Sequence, residues 1–237
     1  MTHCAAILAG GLGTRLRSVV SDRPKVMALV AGRPFLTHLL DQLAVSGIRR
    51  AVLCTGYMGD MIRNELGDGY RDMELVYSAE DRPLGTAGAL RNASGLLSGD
   101  MLLVLNGDSY CHCNLADFTA RQAASGAYAG MALARVEDVA RFGAVLKNDA
   151  SLVESFVEKG GQTGPGWISA GIYLLPMDLM HEISPDRQVS LEREVFPAII
   201  AKGLYGYHCT GSFIDIGVPE EYQRSQIFFS EQTKGKP

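Results

Sequence analysis

Cys4-Ala5-Ala6-Ile7-Leu8-Ala9-Gly10-Gly11-Leu12-Gly13-Thr14-Arg15-Leu16 is the stretch on which the reading of this chain turns. Cys4 to Ala9 is an apolar run of strand length with no polar alternation, which predicts a strand buried on both faces. The glycines that follow let main-chain N–H groups come close to an anion, so the loop is a candidate phosphate cradle. A dinucleotide fingerprint would need glycine where Leu16 stands, and a Walker A loop would need Gly-Lys-Ser/Thr, so neither motif describes it. A tight strand-to-helix turn is the plain alternative. Arg15 shifts the balance, because a guanidinium beside such a loop binds phosphate through two parallel hydrogen bonds, and Pro24-Lys25 places a second cation ten residues on.

Outward from this loop the first half alternates strand-like and helix-like segments. Phe35, Leu36, Leu39, Leu40 and Leu43 fall at helical intervals before a stop at Gly47. Strands are expected at Ala51 to Cys54, Met73 to Tyr77 and Met101 to Leu105, and helices at Met58 to Leu66 and Ala87 to Leu97. Apolar strands separated by helices predict a doubly wound, mostly parallel α/β sheet of Rossmann-like type. Ligands in such sheets sit beyond the carboxyl ends of the strands, where Gly10 to Arg15 and Asn106-Gly107-Asp108 would fall. The second half is less regular. Strands are expected at Tyr128 to Val136, Ala144 to Lys147, Leu152 to Val157, Ile168 to Leu175 and Leu204 to His208, and helices near Leu115 to Ser125, Leu191 to Lys202 and Pro219 to Phe229. The reading is one domain over 1–230, with a regular first part to about 112, a smaller second part from about 113, and a frayed tail over 231–237. Gly160 to Gly166 reads as a mobile loop able to order on substrate binding.

Composition excludes several classes. The 237 residues carry 22 Lys and Arg against 26 Asp and Glu, a formal net charge of -4, with no basic run, which is not the footprint of a protein that binds nucleic acid polymers. Apolar stretches are far shorter than the roughly 20 residues of a membrane span. Five scattered cysteines predict reduced thiols, and the N-terminal residues do not read as a signal peptide, so a cytoplasmic protein with no membrane partner is expected.

Gly-Gly-Leu-Gly-Thr-Arg-Leu, Pro24-Lys25, Gly85-Thr86-Ala87-Gly88-Ala89, Asn106-Gly107-Asp108, Phe142-Gly143, Glu158-Lys159 and Asp215-Ile216-Gly217-Val218-Pro219 run in order over nearly the whole chain. Together they resemble the sugar-1-phosphate nucleotidylyltransferases. Within that family the short length, with no C-terminal β-helix, and the stretches Ser21 to Leu36 and Glu80 to Leu90 look most like the D-glycero-α-D-manno-heptose 1-phosphate guanylyltransferases. The resemblance implies attack of a sugar 1-phosphate on the α-phosphorus of a nucleoside triphosphate, giving NDP-sugar and pyrophosphate, a transfer that relies on positioning and charge neutralisation. It makes Arg15, Lys25, Asp108 and Asp215 the catalytic set, with Arg15 on the β- and γ-phosphates, Lys25 near the α-phosphate, and the two aspartates as Mg²⁺ ligands. Leu8, Gly10, Gly11, Gly13, Thr14, Glu80, Pro83, Gly85, Thr86 and Gly88 would take the nucleotide, GTP or another NTP. Gly143, Glu158, Lys159, Ser169 and Glu192 would take the sugar phosphate. A homodimer is expected on the same ground.

Simpler readings stand beside these. Asp108 and Thr86 could each cap a helix, and Glu158-Lys159 could be a solvated surface pair. Two departures from the family pattern matter: Ser169-Ala170-Gly171 stands where most relatives have Asn-Ala-Gly, and Val26 replaces a second proline, which is expected to loosen the loop carrying Lys25. Cys111-His112-Cys113 lacks zinc-ligand spacing and reads as a buried or half-buried loop. His38 reads as a surface or interface residue. The same chemistry with UTP and a hexosamine or muramic acid 1-phosphate, or with GTP and mannose 1-phosphate, and a non-catalytic nucleotide-sugar-binding subunit, are the alternatives.

Overall fold

The structure, a computed structural model, describes residues 4–185 and 187–234. In chain order its strands are β1 (Cys4–Leu8), β2 (Leu29–Val30), β3 (Arg33–Pro34), β4 (Arg50–Thr55), β5 (Gly69–Tyr70), β6 (Met73–Ala79), β7 (Met101–Asn106), β8 (Ser109–Cys111), β9 (Ala129–Val136), β10 (Ala144–Lys147), β11 (Val153–Val157), β12 (Gly166–Pro176), β13 (Leu204–His208) and β14 (Phe213–Asp215). The α-helices are α1 (Phe35–Val45), α2 (Gly59–Leu66), α3 (Gly85–Ala93), α4 (Leu115–Ser125), α5 (Leu179–Glu182), α6 (Phe196–Ile199) and α7 (Pro219–Lys234).

Eight strands form one sheet in the order β13-β9-β12-β7-β1-β4-β6-β5. The apolar runs behave as their composition dictates. Ala5 and Ile7 of β1 and Leu103 and Leu105 of β7 face one hydrophobic cluster, while Cys4, Ala6, Leu102 and Val104 face another. A sheet whose alternate residues are apolar on both faces must be covered on both faces, which is what makes the central strands parallel with helical crossovers. β1 pairs in parallel with β4 and β7, and β4 with β6. β12 is the internal exception, antiparallel to β7 on one side and to β9 on the other. Because β12 and β9 come from the second half of the chain, the sheet is continuous across residue 112.

The helical spans hold with shifted ends. α4 starts at Asn114, whose side chain accepts a 3.0 Å hydrogen bond from Asp117 N, the usual device for satisfying a first-turn donor. The expected helix over Leu191 to Lys202 is broken into a π-turn at Leu191–Val195, then α6, then a 3-10 turn at Ile200–Lys202. Pro197 explains the break, since it has no N–H to donate and its ring crowds the preceding turn. The tail does not fray at 231: α7 continues to Lys234, and residues 235–237 of the expected tail lie outside the described residues. The glycine loop at 160–166 is fastened to residues 138–140 by Gly160 N to Ala140 O at 2.8 Å, Val139 N to Gly164 O at 3.1 Å and Gly164 N to Asp138 Oδ1 at 3.0 Å. All five cysteines are free and buried, Cys111 within β8. Among the described residues no helix is long and apolar enough to cross a membrane.

Candidate active site

Two adjoining cavities open at the carboxyl ends of β1 and β7. The first, about 350 Å³, is lined by Leu8, Gly10, Gly11, Lys25, Glu80, Pro83, Gly85, Thr86 and Asp108. The second, about 380 Å³, is lined by Gly143, Glu158, Lys159, Ser169 and Asp215. Asn106 and Glu192 line both, so the cavities meet at the end of β7.

The walls of the first cavity follow from close backbone packing. Gly85 has φ +75°, and a Cβ there would lie 2.5 Å from Val189 O, so only glycine fits. Thr86 caps no helix: its hydroxyl accepts from Leu191 N at 2.8 Å and donates to Glu192 Oε2 at 3.0 Å. The first turn of α3 is thereby tied to the π-turn, and Glu192 is held at the junction by Thr86 and by Ser190 Oγ at 3.1 Å. Glu80 Oε2 accepts from Leu84 N at 3.1 Å, and burial raises its carboxyl above the usual range. Three of the expected nucleotide residues fall elsewhere. Gly88 is buried inside α3 against Leu84, because the first helical turn points it inward. Gly13 packs on Lys25, where a Cβ would come within 3.1 Å of Lys25 Cβ. Thr14 is exposed and lines neither cavity. The glycine loop runs into a turn over 14–19 rather than a helix.

Lys25 opens a 3-10 turn, Lys25–Met27, entered from Pro24 in extended conformation, and Val26 and Met27 are buried beneath it. Val26 therefore anchors this turn, contrary to the expectation that it would loosen the loop: an apolar side chain buried at 4% exposure is held by the core. Lys25 Nζ forms an ion pair with Asp108 Oδ2. Asp108 caps no helix. It immediately precedes β8, which pairs antiparallel with β14 so that Asp215 lies opposite Ser109, and Ile216 N donates to Asp108 O at 2.9 Å. This short ladder is what brings residues 108 and 215 together. Burial first, and then the Asp108 charge, push the Asp215 carboxyl up. Asp215 Oδ1 accepts from Gly217 N at 2.7 Å. Arg15 is exposed, lines neither cavity, and lies beside the same turn, its Nη2 3.4 Å from where a Gly217 Cβ would stand.

In the second cavity Glu158 and Lys159 are exposed at the end of the β10–β11 ladder. Ser169 Oγ donates to Tyr173 Oη at 3.0 Å, and Asn106 Nδ2 reaches the same oxygen at 3.4 Å. Tyr173, Asn106, Ser109 and Phe142 line this cavity and were not among the expected site residues, although Asn106 and Phe142 stand inside motifs already quoted. His38 is not at the surface. It is 6% exposed, with its ring 3.8 Å from that of Phe229. α7 covers it, and no periodicity within α1 could reveal a helix arriving from the other end of the chain.

Residues 4–232 match the family described as Nucleotidyl transferase. The mannose-1-phosphate guanylyltransferase of Mycobacterium tuberculosis is 38% identical over 93% of this chain, which spans 62% of that protein. The D-glycero-α-D-manno-heptose 1-phosphate guanylyltransferase of Aneurinibacillus thermoaerophilus is 34% identical over 94% of this chain and 96% of its own. The crystal structure of HddC from Yersinia pseudotuberculosis complexed with GMP-PN superposes with a TM-score of 0.84 at 33% identity, covering 97% of this chain and 100% of that one. A family match across almost every described residue, together with a relative this similar along nearly its whole length, fixes the kinship: this chain belongs to the nucleotidyl transferase family.

Proposed function

We propose that the protein transfers GMP from GTP to D-glycero-α-D-manno-heptose 1-phosphate, forming the GDP-sugar and releasing pyrophosphate. The observation that carries this is the pair of cavities sharing Asn106 and Glu192, with Asp108 lining one and Asp215 the other. Two substrates that must react with each other need adjoining sites with charge control at the seam. The backbone-walled cavity suits a flat base and ribose. The cavity with Glu158 and Lys159 suits a polyhydroxylated sugar carrying phosphate: a carboxylate accepts hydrogen bonds from hydroxyls and an ammonium grips the phosphate.

Mg²⁺ fits the donor set. Asp108, just before β8, and Asp215, at the end of its partner β14, offer hard carboxylate oxygens, and the raised Asp215 carboxyl marks two negative charges that a cation would relieve. When bound there, Mg²⁺ would neutralise phosphate charge as the P–O bonds exchange. The other work falls to the chain. Lys25 leaves its pairing with Asp108 for the α-phosphate, where charge builds as the sugar phosphate oxygen attacks and pyrophosphate departs in line. Arg15, exposed beside Gly217, takes the leaving phosphates. Glu192, fixed by Thr86 and Ser190, keeps the two substrates in register.

The experiment is pyrophosphate release by the purified protein with Mg²⁺, across nucleoside triphosphates and a panel of sugar 1-phosphates. Release selective for GTP with the manno-heptose phosphate is the expected result, and release only with another pair overturns the substrate assignment. Mannose 1-phosphate is the second reading, favoured by the 38% identity to the mycobacterial enzyme. A homodimer in the cytoplasm goes with either reading, and light scattering tests the dimer.

A further inference from the structure

Arg141 belongs to no part of the site assigned so far, yet it joins three elements around it. Its Nη1 donates to Glu221 Oε1 at 2.9 Å in the first turn of α7, and its Nη2 lies 3.6 Å from Asp215 Oδ1. Its guanidinium carbon sits 4.6 Å from the centroid of the Phe142 ring. Phe142 in turn meets Phe213 edge-on at 5.6 Å, two residues before Asp215 on β14. Glu221 is only 14% exposed and also accepts from Arg224 at 2.8 Å, so it is a fixed anchor rather than a loose surface partner. Both of the Asp215 contacts described, from Gly217 N and from Arg141, fall on Oδ1. That leaves Oδ2 as the oxygen for a cation.

We infer that Arg141 is a positioning residue for the divalent cation: clamped between Glu221 and Phe142, it fixes the rotamer of Asp215. The inference rests on the reading of Asp108 and Asp215 as cation ligands. Two effects oppose each other here. A positive charge near a cation ligand repels the cation, whereas a held ligand binds it better. Groups that orient a ligating carboxylate are worth about 10- to 100-fold in metal affinity. The Arg141 side chain is 36% exposed, so solvent screens its repulsion of the cation, while its 3.6 Å ion pair with Asp215 Oδ1 still orients the carboxylate.

The test uses Mn²⁺ as probe, titrated into the protein saturated with a non-hydrolysable GTP analogue and followed by the relaxation of water protons. Arg141→Met is expected to weaken Mn²⁺ about 10-fold and to raise the Mg²⁺ concentration for half-maximal turnover equally. KM for GTP at saturating Mg²⁺ should stay within about twofold, which a general loosening of the fold would not respect. Glu221→Gln should weaken Mn²⁺ in the same direction by less, and carries the test if Arg141→Met does not fold. Unchanged or tighter Mn²⁺ binding in these variants overturns the inference. Asp215→Asn separates the two levels: if it binds Mn²⁺ like the wild type, the ligand reading fails and this inference with it. If Asp215→Asn loses Mn²⁺ while Arg141→Met does not, only the role of Arg141 falls.

Discussion

The two cavities are built from different materials. The first cavity, proposed for the nucleotide, lies at the ends of parallel strands, and part of its wall is close-packed main chain that a side chain would obstruct, as at Gly85 against Val189. The second cavity, proposed for the sugar phosphate, has close-packed main chain at Gly143 but presents mostly side chains carried on antiparallel pairs, with Glu158 and Lys159 exposed after β11 and Ser169 on β12. A wall of backbone changes only if the fold changes, whereas a lining of side chains changes one residue at a time. One scaffold can therefore hold the nucleotide chemistry fixed while the sugar is exchanged. The seam, where Lys25 and Asp108 of the first cavity face Asp215 of the second, should be the most sensitive place of all. Asp108→Asn keeps the shape of the side chain and removes its charge, so kcat for pyrophosphate release should fall by about 10²-fold or more, with the circular dichroism spectrum unchanged. Near-normal turnover in that variant would separate the seam from the chemistry.

A milder pair of changes tests the contrast directly. Gly85→Ala forces a Cβ to within 2.5 Å of Val189 O at a positive φ that itself costs an alanine about 1–2 kcal/mol. It should raise KM for GTP about 10-fold and lower the melting temperature, because the wall and the fold are the same object. Lys159→Met removes a charge-assisted contact of about 1.5–3 kcal/mol from an exposed side chain, so KM for the sugar phosphate should rise about 10-fold or more while the melting temperature and KM for GTP hold. If both variants raised both Michaelis constants alike, the division into a backbone-made and a side-chain-made half would be wrong.

The same division decides what could be read from the sequence. β1, β4 and β7 are legible because a strand buried on two faces must be apolar at every position, and glycines before a helix or after a strand mark the turns. Residues that meet through long-range pairing leave a fainter trace. The β8–β14 ladder has three residues on each side, too short for any periodicity, yet it alone sets Asp215 opposite Ser109 and next to Asp108. Both aspartates are visible as motif residues, but their juxtaposition is a tertiary fact. Gly88 and Thr14 show the converse case, since neither lines a cavity. Each sits in a motif that reads as ligand-binding, and the register of a helix or turn directs one inward and the other to solvent. Arg141 escapes notice because its partners, Asp215 and Glu221, lie more than seventy residues away in sequence.

The smallest effect lies outside both cavities, at His38. Burial is the main reason its pKa is pushed down to about 4, with the Arg33 charge adding to it. The hydrogen bonds suit the neutral ring: Nδ1 accepts from Arg33 Nη2 at 2.8 Å and Nε2–H donates to Val30 O at 3.1 Å. A protonated ring would aim a second donor at Arg33. Because the folded pKa lies below the unfolded value of 6.5, the unfolded chain binds more protons between about pH 6.5 and 4. The stability that neutral His38 contributes is thus fully present above pH 6.5 and is lost as pH falls toward 4, amounting to about 2 kcal/mol between pH 7 and pH 5. Urea unfolding at those two pH values should show that drop in the wild type and a smaller one in His38→Gln, whose amide can still accept from Arg33 and donate to Val30 without titrating. Turnover at pH 7.5 should be nearly the same in both proteins, because α1 and α7 meet at His38 outside both cavities. An equal pH slope in the two proteins would show that the acid sensitivity does not come from this buried ring.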